Sequence, residues 1–379
     1  MYYYVYNYIV IYIINLGGSF FMVINHGANL FDLSNKLNVN EDEFLDFSSN
    51  INPFGACPNA KEAVISNIDK VSIYPDVNYL SLKTSISNYC RCKTEHILLG
   101  SGSTELISTF IKIIKPKNTL IISPTYSEYE RELKKSSCNI SYYFAKKEDD
   151  FKIDVEDLIH TINDDLYDLV VICNPNNPTG FAFTQEEIKE ILKYCSTYIM
   201  LDETYVEFID TNVFSSTPLI DRFSNLFIIR STSKFFSAPG IRLGYALTSD
   251  KEVLKKMNDN LDLWNINIFA SLMGEVMFND LEYIYSSLEK IQDEHSYLMK
   301  ELNSIDDLKV YPSSSNFILC EITSKKLTSS SLYETLIKSN VIIRDCSSFN
   351  SLNNYFFRVC VLKHNDNKLL INLLKDIFS

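Results

Sequence analysis

Short apolar runs alternate with longer amphipathic stretches between residues 96 and 208, and this alternation constrains the fold more than any other feature. The apolar runs have the length of buried strands, and the segments between them have the spacing of amphipathic helices. Examples of the apolar runs are HILLG, TLIIS, LVVIC and YIMLD. Strands that alternate with helices build a parallel sheet, because each helix returns the chain across one face of the sheet. The sequence therefore predicts an α/β fold with a mostly parallel sheet covered by helices.

The composition leaves room for such a fold and excludes some functions. A chain of 379 residues with 46% hydrophobic residues can hold two domains and a large core. A net charge of −13 argues against nucleic-acid binding, which needs a basic surface. Any anionic ligand must then be held by local arginines and helix ends. The nine cysteines include only a lone C-x-C, at Cys90 and Cys92, so we expect free thiols in a reducing cytosol and no metal site.

Residues 1–21 differ in character from the chain that follows. They are apolar and tyrosine-rich, but they are short for a membrane span and lack the basic start of a signal peptide. The glycine pair Gly17 and Gly18, just upstream of Met22, is what a ribosome-binding sequence gives when it is translated. We predict that Met22 is the true start and that residues 1–21 are a non-native or disordered extension. A short membrane-attaching helix is the alternative.

One lysine lies between two strand-like runs, NLFIIR and LGYAL, in the stretch STSKFFSAPGIRLGY. The amine of Lys234 can form a Schiff base with an aldehyde, while the serine hydroxyls and Arg242, eight residues later, hold a phosphate nearby. Taken alone, the stretch fits a surface lysine beside a structural arginine equally well.

Two further features place ligand-binding groups at the ends of predicted strands. HILLG leads through a small polar turn into the helix SGSTELISTFIKII, so backbone N–H groups around Gly102, Ser103 and Thr104 would converge on an anion. A plain helix cap explains this turn nearly as well. Asp202 ends an apolar strand, where open α/β sheets bind ligands, and a carboxylate buried there needs a partner.

These features, in this order and spacing, resemble the fold-type-I enzymes that depend on pyridoxal phosphate, the aminotransferase class I/II family. The motifs are LVVICNPNNPTG, YIMLDETYVEF and the lysine stretch with Arg242. The resemblance extends from Met22 nearly to the end of the chain. It implies pyridoxal phosphate as cofactor, a large cofactor-binding domain at residues 65–264 and a smaller α/β C-terminal domain at 265–379. The segment 22–64 would join the smaller domain.

The pattern after Tyr245 is typical of such a second domain. Residues 250–303 have the spacing of long helices. From Leu308 onward, strand-like runs alternate with helical stretches, and these runs are KVYP, NFILCEI, VIIRDC and YFFRVCV.

The resemblance also implies roles for individual residues. Lys234 is the catalytic lysine that binds the cofactor, and Asp202 keeps the pyridine nitrogen protonated so that the ring can accept electrons. Tyr126 stacks on the ring, although a core aromatic is an equal alternative. Tyr74 reaches the cofactor phosphate of the neighbouring subunit, which implies a homodimer. The implied cofactor contacts are Gly102, Ser103, Thr104, Tyr126, Asn177, Asp202, Tyr205, Ser231, Ser233, Lys234, Arg242 and Tyr74, with Asn177 and Tyr205 at the phenolic oxygen.

Three stretches resemble threonine-phosphate decarboxylases more than aminotransferases at large, namely NHGANL, LDFSSNINPFG and VIIRDCSSF. Arg358 would hold the substrate carboxylate in a bidentate pair, a task that lysine performs poorly. The small polar turn departs from the decarboxylase pattern at Ser101 and Ser103, where relatives often carry Asn and Glu. The implied substrate contacts are His26, Gly27, Asn50, Asn177, Arg344 and Arg358.

The resemblance therefore predicts a cytoplasmic homodimer that acts on a small phosphorylated amino acid, without membrane association unless residues 1–21 belong to the protein. The expected reaction converts L-threonine O-3-phosphate to (R)-1-aminopropan-2-yl phosphate and CO2 for cobalamin biosynthesis. An aminotransferase acting on histidinol phosphate with 2-oxoglutarate is the alternative. A cofactor-binding protein without catalysis is disfavoured because Lys234 is present. Whether serine phosphate is also accepted stays open.

Overall fold

The structure, a computed structural model, describes residues 29–379. The predictions for residues 1–21, for Met22 as the start, and for His26 and Gly27 as substrate contacts lie outside the described residues. Within residues 29–379, no helix is both long enough and apolar enough to cross a membrane.

The described chain alternates helices and strands along most of its length. Its helices are α1 (Leu30–Leu37), α2 (Pro58–Ile65), α3 (Leu80–Cys90), α4 (Ser103–Ile114), α5 (Ser127–Lys135), α6 (Val155–Asp164), α7 (Gln185–Tyr194), α8 (Thr211–Phe214), α9 (Lys251–Asn260), α10 (Ile268–Met277), α11 (Leu281–Leu302), α12 (Ser329–Leu336) and α13 (His364–Phe378). Its strands are β1 (Leu45–Asp46), β2 (Ile97–Gly100), β3 (Asn118–Ser123), β4 (Asn139–Phe144), β5 (Leu169–Cys173), β6 (Tyr198–Asp202), β7 (Leu226–Ser231), β8 (Gly244–Leu247), β9 (Leu308–Val310), β10 (Phe317–Ile322), β11 (Val341–Ile342), β12 (Arg344–Asp345) and β13 (Phe356–Cys360).

A seven-stranded sheet forms the centre of the larger part of the molecule, in the order β2-β8-β7-β6-β5-β3-β4. The strands β7, β6, β5, β3 and β4 pair in parallel. The strand β8 runs antiparallel to both of its neighbours, β2 and β7. The predicted α/β fold with a mostly parallel sheet is therefore confirmed.

Both faces of this sheet are buried along its inner strands, which explains why β5 and β6 are nearly unbroken apolar runs, whereas the edge strand β4 is partly exposed. Along β5, Val170 and Ile172 face one helical layer, and Leu169 and Val171 face the other. The first layer includes α3, α6 and α7, and the second includes α4, α5 and α9. Helices therefore cover the sheet on both sides and leave its strand ends as the accessible edges.

The C-terminal part contains a second sheet, four-stranded and antiparallel, in the order β12-β13-β10-β9. The strand β1, near the start of the described chain, pairs in parallel with β11, with Leu45 opposite Val341. The Phe47 N–H also donates to the Ile342 carbonyl at 2.8 Å. The N-terminal segment is thus hydrogen-bonded to the C-terminal part, while the domain boundaries at residues 64 and 264 stay predictions.

Parallel strands bring their carboxyl ends to one edge of the large sheet, and the loops that follow them meet there. Asp202 ends β6 and pairs in register with Cys173, the last residue of β5, and with Ile229 of β7. Ser231 ends β7 and leads into the loop that carries Lys234. This edge is therefore the expected place for a ligand.

Candidate active site

A cavity of about 750 Å³ opens at this edge of the large sheet. Most of the predicted site residues line it, namely Asn50, Ser103, Thr104, Tyr126, Asn177, Asp202, Tyr205, Ser231, Ser233, Lys234, Arg242, Arg344 and Arg358. Gly102 lies directly beside the Arg242 guanidinium. Tyr74 is instead 75% exposed and stacks on Trp264, with ring centroids 4.5 Å apart. The chain thus brings together residues that are more than 300 positions apart in the sequence.

Lys234 projects its amine into this cavity, where Nζ donates a hydrogen bond to the Ser49 carbonyl at 2.6 Å. Burial of the amine, helped by the nearby Arg358 cation, lowers the pKa of Lys234 to about 8. A larger share of the amine is therefore neutral near pH 7 than for an ordinary lysine. The neutral amine is the form that attacks a carbonyl or accepts a proton.

Asp202 lies on the floor of the cavity and is 4% exposed. The Tyr129 hydroxyl donates to Oδ2 at 2.6 Å, and the Thr204 N–H donates to Oδ1 at 2.9 Å. Burial raises the pKa of the Asp202 carboxyl, and these hydrogen bonds oppose the rise. A protonated ring nitrogen placed against Asp202 would supply the cation that keeps this buried carboxylate ionised.

An anion-binding seat lies where α4 begins. Its N-cap is Gly102, which offers no side chain to the first-turn N–H groups, so these remain available to a ligand. Gly102 has φ +87, and a Cβ at this position would lie 2.3 Å from Arg242 Nη2. The hydroxyls of Ser231 and Ser233 lie 2.8 Å apart in the same cavity. Backbone N–H groups, hydroxyls and a guanidinium are the donors that a phosphate dianion requires.

The three asparagines of the loop after β5 make different hydrogen bonds. Asn174 hydrogen-bonds the backbone of Phe183 in both directions, at 2.7 and 2.9 Å. Asn176 donates to the Pro124 carbonyl at 2.8 Å. These bonds hold the loop so that Asn177 faces the cavity, where its Oδ1 accepts a hydrogen bond from Arg358.

Tyr205 and Asn50 line the same cavity as Asn177. The Asn50 amide donates to the Tyr205 hydroxyl at 3.3 Å. The Oδ1 atom of Asn50 is buried, and it has no hydrogen-bond partner within the described chain. A phenolic oxygen and side-chain amides in one cavity suit the recognition of a ligand oxygen.

Two arginines face the cavity from the small sheet, and the β12–β13 register places Arg344 directly opposite Arg358. Their side chains are 5% and 4% exposed. Arg344 Nη2 donates to Ser348 Oγ at 2.9 Å, and Arg358 donates to the Ser48 carbonyl at 2.5 Å. Burial, together with the Arg358 charge, lowers the pKa of Arg344. Like charges directly opposite each other repel, so this pair favours a bound anion.

The residues around the cavity fit pyridoxal phosphate. The seat at Gly102 and Arg242 fits its phosphate, Asp202 fits its ring nitrogen, and the Lys234 amine fits its aldehyde. Asn50 Oδ1 and Arg358 Nε are buried without a hydrogen-bond partner among residues 29–379, which is the state expected around a ligand-binding cavity.

Fold and cavity together define an enzyme of fold type I that depends on pyridoxal phosphate. A family model described as aminotransferase class I and II matches residues 42–374. The chain belongs to this family.

Relatives within the family carry two different names. The chain is 36% identical to a protein of Caldanaerobacter subterraneus subsp. tengcongensis provisionally named threonine-phosphate decarboxylase, over 93% of this chain and 94% of the relative. It is 32% identical to the histidinol-phosphate aminotransferase of Methanosphaera stadtmanae, over 93% of this chain and 95% of that one. The crystal structure of the histidinol-phosphate aminotransferase from Clostridium acetobutylicum superposes with a TM-score of 0.82 at 36% identity, covering 88% of this chain and 98% of that one.

Several cavity residues were not predicted from the sequence. Tyr129 could have been suspected, because it follows Tyr126, the N-cap of α5, by three residues, and the two ring centroids lie 5.6 Å apart. Ser48 and Ser49 act through backbone carbonyls, which leave no signal in the sequence. The other cavity residues that were not predicted from the sequence are Ser127, Glu128, Glu130, Arg131, Lys134, Thr204, Pro239, Ser348 and Phe349.

Proposed function

We propose that this pyridoxal-phosphate enzyme decarboxylates L-threonine O-3-phosphate to (R)-1-aminopropan-2-yl phosphate and CO2, a reaction that serves cobalamin biosynthesis. One observation carries the proposal, the pairing of Arg344 with Arg358 in register at the wall of the cavity. The Cβ atoms of such a pair lie about 5 Å apart. Threonine phosphate carries a carboxylate and a phosphate on neighbouring carbons, so its two anionic groups match two adjacent guanidinium groups.

Pyridoxal phosphate, when bound, supplies an electron sink for the charge left at the substrate α-carbon when one of its bonds breaks. The chain's own residues decide which bond breaks by orienting the substrate. Arg358 alone could fix the carboxylate and leave the α-hydrogen within reach of Lys234. Arg344 offers a second anchor, for the substrate phosphate, and this would turn the carboxylate to the bond-breaking position instead.

Lys234 is the residue of the chain that can transfer a proton to the substrate α-carbon. With a pKa of about 8, its amine exchanges a proton readily near neutral pH. After CO2 leaves, the α-carbon needs a proton, and the Lys234 ammonium or a water beside it can deliver one. In the proposed site Asp202, held by the Tyr129 hydroxyl, would place a fixed negative charge beside the ring nitrogen.

We further propose a homodimer. Large apolar side chains are exposed on the segments 68–80 and 263–264, which the stacked rings of Tyr74 and Trp264 bring together, and they are Ile68, Val71, Ile73, Tyr74, Leu80, Leu263 and Trp264. A patch of this kind on a large enzyme is typical of a subunit interface. Tyr74 lies within it and outside the cavity of its own chain, which suits a contact with the second subunit's site. Sedimentation showing a fully active monomer would contradict the proposal.

Transamination of histidinol phosphate is the second candidate, supported by the likeness to the aminotransferases of M. stadtmanae and C. acetobutylicum. Histidinol phosphate has a phosphate and no carboxylate. One arginine of the pair would therefore gain an anionic partner only when 2-oxoglutarate or its product bound.

The two reactions are separated by one experiment. The purified enzyme is incubated with threonine phosphate in the absence of 2-oxoglutarate, and CO2 and keto acid are measured together, with the Lys234→Ala protein as a blank. We expect CO2 without keto acid. Consumption of histidinol phosphate that depends on 2-oxoglutarate, with threonine phosphate left untouched, would replace the first proposal by the second.

A further inference from the structure

We propose that Ser348 and Phe349 are positioning residues that fix the Arg344 guanidinium for the anionic group of the substrate. The inference rests on the proposed function, because it concerns the same site. It extends that function to residues that would not themselves take part in the reaction.

The loop after β12 supplies both contacts. Ser348 Oγ accepts a hydrogen bond from Arg344 Nη2 at 2.9 Å. The centre of the Phe349 ring lies 5.3 Å from the guanidinium carbon, within the range of a cation–π contact. Both side chains line the cavity. One therefore restrains the plane of the guanidinium from its edge, and the other restrains it from its face.

The loop itself is well anchored. The Phe349 N–H donates to the Cys346 carbonyl at 3.1 Å, and the Leu352 N–H donates to the Phe349 carbonyl at 3.1 Å. The Asn350 amide reaches Glu130 of α5 at 3.4 Å, so the loop also contacts the large-sheet part of the molecule. Phe349 is 9% exposed, which leaves its ring little freedom.

Arg344 needs such restraint because Arg358 faces it across the strand pair. Like charges directly opposite each other repel, and an arginine side chain that nothing orients beforehand loses rotamer freedom when a ligand fixes it. Ser348 and Phe349 are uncharged. They can therefore orient Arg344 before the substrate arrives without neutralising its positive charge.

The test compares Ser348→Ala and Phe349→Leu with Ser347→Ala as a matched control. Ser347 is the exposed neighbour of Ser348 and does not line the cavity. Each holoenzyme is assayed for KM and kcat with threonine phosphate and, separately, with histidinol phosphate. The dissociation constant of inorganic phosphate for each holoenzyme is measured by calorimetry, and the absorbance spectrum of the bound cofactor is recorded.

We expect Ser348→Ala and Phe349→Leu to raise KM for the phosphorylated substrate about 5- to 30-fold, as loss of a hydrogen bond or ring contact to a charged group should. The dissociation constant of inorganic phosphate should rise in parallel, while the cofactor spectrum stays unchanged. Ser348→Thr should keep KM near the wild-type value, because threonine retains the hydroxyl and the exposed position has room for its additional methyl group.

The readouts keep this inference separate from the proposed function. If only histidinol phosphate is turned over, the decarboxylase proposal fails, and KM for that substrate still tests Ser348 and Phe349. If neither substrate reacts, the phosphate dissociation constant decides. The inference would be overturned if Ser348→Ala and Phe349→Leu had KM values and phosphate dissociation constants within twofold of those of Ser347→Ala. It would also be overturned if the two variants lost cofactor binding as strongly as they lost phosphate binding.

Discussion

Gly102→Ala is the substitution that most directly tests the anion-binding seat. Gly102 has φ +87 and ψ 163, a region of backbone conformation that is almost restricted to glycine. Holding another residue there costs about 1–3 kcal/mol. The alanine Cβ would also lie 2.3 Å from Arg242 Nη2 and 2.9 Å from its Cζ, so the guanidinium has to move.

The displacement removes a charged donor from the proposed phosphate contact. A hydrogen bond to a charged group contributes about 1.5–3 kcal/mol, so the dissociation constant of pyridoxal phosphate should rise about 10- to 100-fold. The free energy of unfolding of the apoenzyme should fall by about 1–3 kcal/mol through the backbone cost alone. Cofactor titration of the apoenzyme by absorbance and urea unfolding of the apoenzyme measure the two effects separately.

Two glycines of the same chain serve as matched controls. Gly55 has the same φ of +87, and a Cβ there would meet nothing within 4 Å, so Gly55→Ala carries the backbone cost without the clash. Gly240 lies in the lysine loop, and a Cβ there would also meet nothing within 4 Å. Equal cofactor affinity in Gly102→Ala and Gly55→Ala would refute the assignment of Gly102 and Arg242 to the phosphate.

Three more predictions concern other parts of the site and its support. Lys234→Ala should lose turnover and the borohydride-sensitive link to the cofactor, and a cofactor still attached through another lysine would contradict the assignment. Arg344→Ala should lower kcat/KM for the phosphorylated substrate, measured by steady-state kinetics against Ser347→Ala, by a factor that corresponds to a loss of about 2–4 kcal/mol in transition-state stabilisation. Equal kcat/KM values in the two variants would contradict this role. Burial raises the pKa of Glu207 to about 7, so the folded protein keeps a proton that the unfolded chain loses near pH 4.5. Wild-type stability should therefore fall between pH 5 and 8 relative to Glu207→Gln, whereas a pH-independent difference in urea unfolding would exclude this effect.

Residues that follow strands in recognisable motifs could be predicted from the sequence. Asp202 ends one apolar run and Lys234 follows another by four residues, and parallel strands carry such residues to one edge, where both line the cavity. The facing of Arg344 and Arg358 could not be predicted, since it depends on the register between β12 and β13. Tyr74 lies outside the cavity of its own chain, so its predicted contact needs a second subunit that one sequence does not display.

The short run at residues 48–50 links two functions that are usually considered separately. Its carbonyls accept hydrogen bonds from Lys234 at Ser49 and from Arg358 at Ser48, and the Asn50 carbonyl accepts one from Asn316 at 3.0 Å. Under the proposed roles of Lys234 and Arg358, this run would couple cofactor chemistry to substrate choice. A chimera that exchanges residues 45–52 with a relative of different activity should therefore alter cofactor affinity and substrate preference together.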